Sequence, residues 1–346
     1  MSENEAPSAA SSRVVTMREV AREAGVSVST VSLVINEKKD ARIGEDARAR
    51  VREAIARLGY RPNALAKNLV HGGSRFIGLV ADSVATSPFA GQIIHGAQDE
   101  AWRNGYVLLV ANTEGDATAE REALAMMLEH KVRGILYSTW YHRETSIPPS
   151  LTETDFVLVD CYAPGTAART VVPDEMQGGC TATEMLLAAG HRRIAFINTE
   201  TPSPARVRRL EGYLAALASA GIAYDPDLVL DAQPDQEGGY EAVATVLGLR
   251  ATGVFCHNDR VAMGLYDGLR ERGLKVPEDL SVVGFDNQEV IAAHLHPPLS
   301  TVALPHYELG VRGVRALLGP VGPQGPEEQV PCPPVVRNST ARVVDP

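Results

Sequence analysis

The chain has 346 residues, 45% of them hydrophobic, and a formal net charge of −10. That length predicts two to three folding units with a sizeable core. The absence of any run approaching about 18 consecutive apolar residues argues against a membrane span. The four cysteines (Cys161, Cys180, Cys256, Cys332) lie far apart with no C-x-x-C, which argues against a disulfide scaffold or a zinc finger and suits a reducing cytoplasm.

Charge is unevenly spread. Residues 14–69 hold 11 Lys/Arg against 7 Asp/Glu, whereas residues 70–346 hold 21 against 34. A small basic head on a large acidic body fits a chain that meets nucleic acid with one end only. Residues 1–13 are small and polar with no apolar run, and read as a disordered tail, not a signal peptide.

From Thr16 to Asn36 the chain reads TMREVAREAGVSVSTVSLVIN. Val20, Ala21 and Ala24 form the inward stripe of a first helix. Gly25 suits a positive-φ exit from it. Ser27 is placed to cap a second helix, whose inward face is Val31 and Val34. Ala21, four before Gly25, allows close crossing, and Val26 plugs the angle. This is the pattern of a helix-turn-helix that enters DNA, or of an ordinary αα-hairpin within a larger core. After the polar loop EKKDARIG, the stretch EDARARVREAIARLGY predicts a third helix. Ala47, Val51, Ala54, Ile55 and Leu58 lie on one face, with Glu45 and Asp46 in the first turn and Gly59 ending it. Val20, Val31, Val34, Val51, Ile55 and Leu58 are expected to close a three-helix core. Arg48, Arg50, Arg52 and Arg57 make either a solvated face or a set of phosphate contacts.

In GYRPNALAKNLVHGGS, Pro62 suits the first turn of a helix. Asn63 to Leu69 then reads as a two-turn helix, marginal alone in water, with Leu65 and Leu69 lacking a partner of their own. Such a segment between a basic head and a body suits folding coupled to DNA, or serves as a plain linker.

The remainder alternates strand and helix. FIGLVAD (76–82), YVLLVAN (106–112), GILYST (134–139) and FVLVDC (156–161) form one series of strands. RIAFINT (193–199), LVLD (228–231), GVFCHND (253–259) and LSVVGFD (280–286) form a second. Apolar strands with intervening amphipathic helices predict parallel sheets covered on both faces, hence two doubly wound lobes. Ligands bind such sheets at the carboxyl ends of the strands. Asp82, Asn112, Asp160, Asn198, Asn258, Asp259 and Asp286 cluster at those ends. No G-x-G-x-x-G follows a strand, and neither a P-loop nor a G-x-S-x-G elbow occurs, so nucleotide cofactors and a serine hydrolase lack support. His294, His296 and His306 read as incidental histidines of a Pro-rich loop in preference to a metal site. No catalytic constellation is visible, so no enzyme, cofactor or metal is expected.

Five motifs draw these parts together: T-M-R-E-V-A-R-E-A-G-V-S-x-S-T-V-S in the head, L-G-Y-R-P-N-A-L-A at the hinge, and A-A-G-H-R-R-I-A-F-I, H-N-D-R-V-A-M-G and S-V-V-G-F-D-N in the body. In this order they resemble the LacI/GalR family of bacterial transcription regulators, over about residues 14 to 344. The body alone would equally resemble a periplasmic sugar-binding protein; the attached head and the missing signal peptide decide against that. The resemblance implies a homodimer on a roughly palindromic operator, with each second helix in a major groove and paired hinge helices in the central minor groove. Val28, Ser29 and Leu33 would then face base edges, with Thr30, Ser32 and Asn36 nearer the phosphates. Thr16, Ser27 and Asn63 complete the expected DNA-facing set. Leu69 matches a leucine that wedges into the central base step, one helical turn after the small Ala66. Leu33 departs from an arginine that many members carry there, and a leucine reads a thymine methyl where arginine reads guanine.

For the body, the resemblance carries over Arg209, Asn258 and Asp286 as polar effector contacts, with Phe89 packing on a ligand ring. Gln177 and Pro234 match lining positions. Asn258 and Asp286 equally suit helix caps after their strands. Where the family often has Asn after the Asp of V-V-x-D, this chain has Glu175 after Asp174.

The expected fold is therefore α/β: an N-terminal all-α helix-turn-helix head and hinge helix joined to a bilobed, doubly wound effector domain of periplasmic-binding-protein type. The expected boundaries are a tail at 1–13, the head at 14–60, hinge and linker at 61–73, and the two-lobed effector-binding and dimerisation body at 74–346. The expected function is ligand-controlled repression from double-stranded operator DNA by a cytoplasmic homodimer, with a sugar or sugar derivative as effector and no membrane partner. The competing expectation is a solute-binding module with no regulatory role on DNA.

Overall fold

The computed structural model describes residues 15–36, 43–60, 74–87, 89–320 and 327–343, and the chain divides into two compact units, Met1–Gly73 and Ser74–Pro346. The expected tail and the hinge positions Asn63, Ala66 and Leu69 lie outside the described residues.

Among the described residues the first unit holds three helices: α1 (Met17–Ala24), α2 (Val28–Ile35) and α3 (Glu45–Leu58). Thr16 opens α1 with a reciprocal capping box. The Glu19 amide donates to the Thr16 hydroxyl at 3.4 Å, and the Thr16 amide donates to the Glu19 carboxylate at 2.8 Å. Gly25, at φ 63°, takes the left-handed turn out of α1. Helices of eight residues are marginal alone, so they depend on a shared core. That core is Val20, Ala21, Ala24, Val31, Val34, Val51, Ala54 and Tyr60. Ile55 and Leu58, expected to help close it, are partly buried and pack against it, and Tyr60 joins the buried set.

The second unit is two six-stranded sheets with helices packed around them. In chain order it runs β1 (Phe76–Ala81), α4 (Gly91–Arg103), β2 (Val107–Asn112), α5 (Ala117–Glu129), β3 (Ile135–Glu144), β4 (Phe156–Tyr162) and β5 (Arg169–Pro173). There follow α6 (Glu175–Ala188), β6 (Ile194–Thr199), α7 (Pro204–Ser219), β7 (Val229–Ala232), α8 (Gln236–Gly248), β8 (Gly253–Cys256) and α9 (Asp259–Glu271). The chain finishes with β9 (Ser281–Asp286), α10 (Glu289–Ala292), β10 (Ser300–Ala303), α11 (His306–Leu318), β11 (Glu328–Val330) and β12 (Pro334–Val335).

One sheet has the order β11-β5-β4-β3-β1-β2 and the other β12-β10-β9-β8-β6-β7. All neighbours are parallel except β12, which runs antiparallel to β10. The eight strands expected from apolar runs are all present. Four more, β5, β10, β11 and β12, were not legible as strands. They make the lobes discontinuous in sequence: the chain crosses from the first sheet to the second after β5, returns through α11 and β11, and crosses again to β12. The last two crossings run through a Pro-rich stretch that reads as loop. Its strands exist only because each adds to the edge of a sheet, where a proline is tolerated.

β3 also differs from expectation, running five residues past Thr139 to Glu144. Its register with β4 shifts between Ser138 and Arg143. Such an irregularity re-aims side chains, and here it falls on Trp140, Tyr141 and His142, between the two paired parts of β3. Asp82 anchors the extension, accepting from the Trp140 amide at 3.0 Å and from Arg143 Nη2 at 2.9 Å.

Candidate functional site

Two features of the chain are built to receive something: the outer face of α2 in the first unit and a pocket between the lobes of the second.

On α2, Val31 and Val34 are buried, which turns the other face outward. Ser27, Val28 and Ser29 are exposed, Val28 by 41%. Thr30, Ser32, Leu33 and Asn36 are half-buried. The first turn contains no acidic residue, so the positive end of the helix dipole is unopposed and suits a phosphate. Local bonds engage several of the expected DNA-facing groups. The Ser27 hydroxyl accepts from the Thr30 amide at 3.1 Å, and Asn36 Nδ2 donates to the Ser32 hydroxyl at 3.4 Å. The Thr16 and Ser27 side chains thus cap helices. Val28, Ser29 and Leu33 carry no such engagement and are the candidate readers.

In the body, the crossing of α6 and α7 sets the pocket. Gly179 lies against the Arg209 backbone, and Gly212 against Met176 O and Cys180 N. A Cβ on either would fall within 2.3 Å of a backbone oxygen. Without side chains at these points the two helix backbones touch. Glu175 at the start of α6 then meets Arg209 on α7, and Arg209 Nε donates to Glu175 Oε2 at 2.7 Å. Arg209 Nη1 donates to the His257 carbonyl and lies 4.0 Å from Asp286 Oδ1. The guanidinium sits 3.6 Å over the Phe285 ring, a cation–π contact in a desolvated setting. Arg209 is 3% exposed; a buried cation of this kind is tolerated because carboxylates and a carbonyl surround it.

Asp286 reaches the pocket from a strained turn. It has φ 102° and Asn287 has φ 53°, both in the left-handed region. Asp259, fully buried, holds that turn: its carboxylate accepts from the Gln288 amide and from the Thr301 hydroxyl, each at 2.7 Å. Gln288 Nε2 in turn donates to Asp286 Oδ2 at 2.8 Å. Burial pushes the Asp286 carboxyl up to about 6, with Arg209 opposing the rise. Asp160, at φ 58° and buried, is pushed well above the carboxylate range by burial, with Glu175 and Asp82 adding to the effect. Burial lowers the His257 and His142 imidazoles and takes His306 down to about 4, so these rings are neutral at pH 7.

These groups enclose a cavity of about 220 Å³ walled by Phe89, Trp140 and Tyr141, with Arg209, Asn258, Arg260 and Asp286 among its polar residues. The Phe89 ring lies 6.1 Å from Trp140 and 5.8 Å from His306. A larger outer cleft of about 1150 Å³ adjoins it, and His142, Glu175 and Ser203 line both.

Of the sequence-predicted effector residues, Phe89, Arg209, Asn258 and Asp286 therefore meet in one pocket, with Pro234. Asn258 does more than face it: its Oδ1 caps α9 through the Val261 amide at 2.9 Å and its Nδ2 donates to Pro234 O at 3.0 Å. Gln177 is not among the residues around the inner pocket. It lies in the outer cleft, where Oε1 accepts from Cys332 N at 2.7 Å and Nε2 donates to Cys332 O at 3.2 Å, tying α6 to the last crossing. Sequence reasoning missed Trp140, Tyr141, His142, Glu175 and Arg260. The three from β3 follow directly on a predicted strand end, where ligands of such sheets bind, and that signal was available. Glu175 was noted only as a departure, because the glycine contacts that bring it to Arg209 are not visible in sequence.

Comparison with known proteins places this geometry. Residues 16–63 match the bacterial regulatory proteins of the lacI family, and residues 183–340 match a periplasmic binding protein-like domain. The ribose operon repressor of Haemophilus influenzae is 34% identical over 307 residues, 88% of this chain and 91% of that protein. The lac repressor dimer bound to operator and the anti-inducer ONPF is 26% identical with a TM-score of 0.78, covering 95% of this chain and all of that one. A LacI family regulator from Enterococcus faecium with bound ribose is 30% identical with a TM-score of 0.61, covering 78% of this chain and all of that one. A helical head and a two-lobed ligand-binding body define the chain as a DNA-binding transcription regulator. It belongs to the lacI family of bacterial regulatory proteins, which supports the regulator over a solute-binding module without a role on DNA.

Proposed function

We propose that this regulator is a repressor whose affinity for a palindromic operator is set by a small polyhydroxylated effector, a sugar or sugar derivative, held in the pocket between the lobes. The observation that carries the effector half is the cavity itself. Arg209 stands there between Glu175 and Asp286, in a lining that also includes Asn258, Phe89 and Trp140. Aromatic walls with a few convergent polar groups suit a sugar ring, whose faces are apolar and whose hydroxyls both donate and accept. Related proteins named as a ribose operon repressor and as a regulator with bound ribose favour the same class.

The DNA half rests on α2. Val28, Ser29 and Leu33 are assigned to base edges, and Thr30, Ser32 and Asn36 to the phosphate side. Thr16 and Ser27 act by capping the helices that present them. Asn63, Ala66 and Leu69 are assigned to the minor groove on sequence grounds alone. A homodimer supplies the second half-site, as in the lac repressor dimer on its operator. Effector binding shifts the population between lobe arrangements that differ in operator affinity. The engagement of Glu175, Asp286 and Asn258 in ion pairs and a helix cap supports binding over catalysis, and the homology to repressors supports a soluble protein of the cytoplasm.

The test is DNA selection from a random pool by the purified protein, repeated with D-ribose and other monosaccharides. The expected result is a palindromic site whose recovery changes with one sugar. Recovery of no common sequence would overturn the operator reading, and indifference to every sugar would overturn the effector class.

A further inference from the structure

The Nε edge of Arg209 is closed by Glu175 at 2.7 Å, and Nη1 is engaged by the His257 carbonyl. An arginine is a strong receptor for phosphate or carboxylate when two parallel N–H groups are free to form a fork. Here that fork is already occupied from within the protein. The charge balance points the same way. The Arg209 guanidinium lies between the carboxylates of Glu175 and Asp286, with Arg260 on the same cavity, and Arg143 nearby is paired to Asp82. Arg209 is thus matched by two carboxylates, whereas the buried Nε of Arg260 has no hydrogen-bond partner among the described residues.

His142 adds a second observation. It is buried beside Glu175, its Nδ1 is 3.9 Å from Glu175 Oε1, and neither ring nitrogen has a hydrogen-bond partner among the described residues. Unpaired buried donors and acceptors are costly, so a group that completes them binds there. Between an acceptor carboxylate and a neutral imidazole that carries one donor and one acceptor, the complementary group both donates and accepts. A hydroxyl does so. An ionised phosphate or carboxylate oxygen only accepts, and would lie against Glu175 Oε1.

We propose that Glu175, with His142 beside it, sets the charge class of the effector. By closing one edge of Arg209 it turns an anion fork into a single donor, so the pocket takes an uncharged polyol and rejects its phosphorylated or carboxylated counterpart. This rests on the interlobe cavity being the effector site. Glu175 is a specificity-determining residue that acts both through Arg209 and by its own free oxygen.

Trp140 lines the pocket, and the other tryptophan, Trp102, is 62% exposed. In full-length protein carrying Trp102→Phe, Trp140 fluorescence therefore reads the pocket and is blind to anions at the DNA-binding head. Titration uses D-ribose, D-ribose 5-phosphate and inorganic phosphate. In the Glu175-intact protein, inorganic phosphate is expected to leave Trp140 unchanged, and ribose 5-phosphate to bind at least about ten-fold more weakly than ribose. Glu175→Gln, close in shape and still able to accept from Arg209, is expected to gain a saturable response to both anions. Glu175→Asp, which keeps the charge, is expected to stay blind to them.

Saturable phosphate binding at Trp140 with Glu175 intact would overturn the proposal without any variant at that position. So would a well-folded Glu175→Gln, judged by circular dichroism, whose anion response equals that of the parent. If ribose itself gives no signal while Glu175→Gln gains the phosphate response, the sugar assignment fails and the charge filter stands.

Discussion

The head and the interlobe pocket place their working residues by different means. In the head, Val20 to Tyr60 close a core from short helices adjacent in the chain, and the caps at Thr16 and Ser27 reach three residues ahead. The readers on α2 are simply what remains once Val31 and Val34 turn inward. In the pocket, Phe89, Trp140, Glu175, Arg209 and Asp286 come from elements far apart in sequence and from both lobes. They are held by charges that only tertiary packing brings together. A change in the head should therefore act through helix formation and base contact, and a change in the pocket through burial of charge.

Arg209→Met offers the harshest test of that contrast. It leaves Glu175 and Asp286 facing each other in a buried site, and the cost expected is about 3–5 kcal/mol of body stability. Calorimetry should record a lower melting transition together with loss of effector binding. Operator affinity of the folded, effector-free protein should change little, and an equal loss there would break the separation between the two regions.

On the DNA side, Leu33→Arg gives a half-buried position a guanine-reading fork. Selection from a random pool should then shift one base per half-site toward guanine, by about 1–3 kcal/mol of discrimination, with no change in effector affinity. An unchanged consensus would remove Leu33 from the reading set.

The pocket alone should be sensitive to mild acid. Burial raises the Asp286 carboxyl to about 6, and ligand hydroxyls favour its charged, accepting form. Effector affinity is thus full above about pH 6 and falls as the pH drops through that value, by about ten-fold per unit at the limit. Titration calorimetry across this range should show the inflection, and Asp286→Asn should abolish it along with part of the affinity.

Smallest in effect is Ser27→Ala. Loss of the α2 cap should cost about 1 kcal/mol of head stability. Operator binding near the melting temperature should weaken while the body transition stays in place.

The α2 periodicity, the Gly25 turn and the two series of apolar strands were legible because each depends on residues close in sequence. Asp286 and Asn258 were legible as polar groups at strand ends. Their second tasks were not: Asn258 caps α9, and Asp286 hangs on a turn pinned by Asp259. Gln177 matched a lining position by motif, yet its amide lies against Cys332 because the last crossing of the chain runs past it.

By itself the sequence determined the head, the strand–helix alternation of the body and the regulator class, since periodicity, caps and motif spacing are local properties. The tertiary structure decided three things: how the chain divides its strands between lobes, where β3 carries Trp140 to His142, and which carboxylate meets Arg209. Edge pairing gives β11 and β12 a place that their own composition does not announce. The contact of Gly179 and Gly212 brings Glu175 to Arg209 because two helix backbones can touch only where neither carries a side chain, and neither glycine reveals its partner until both helices are packed.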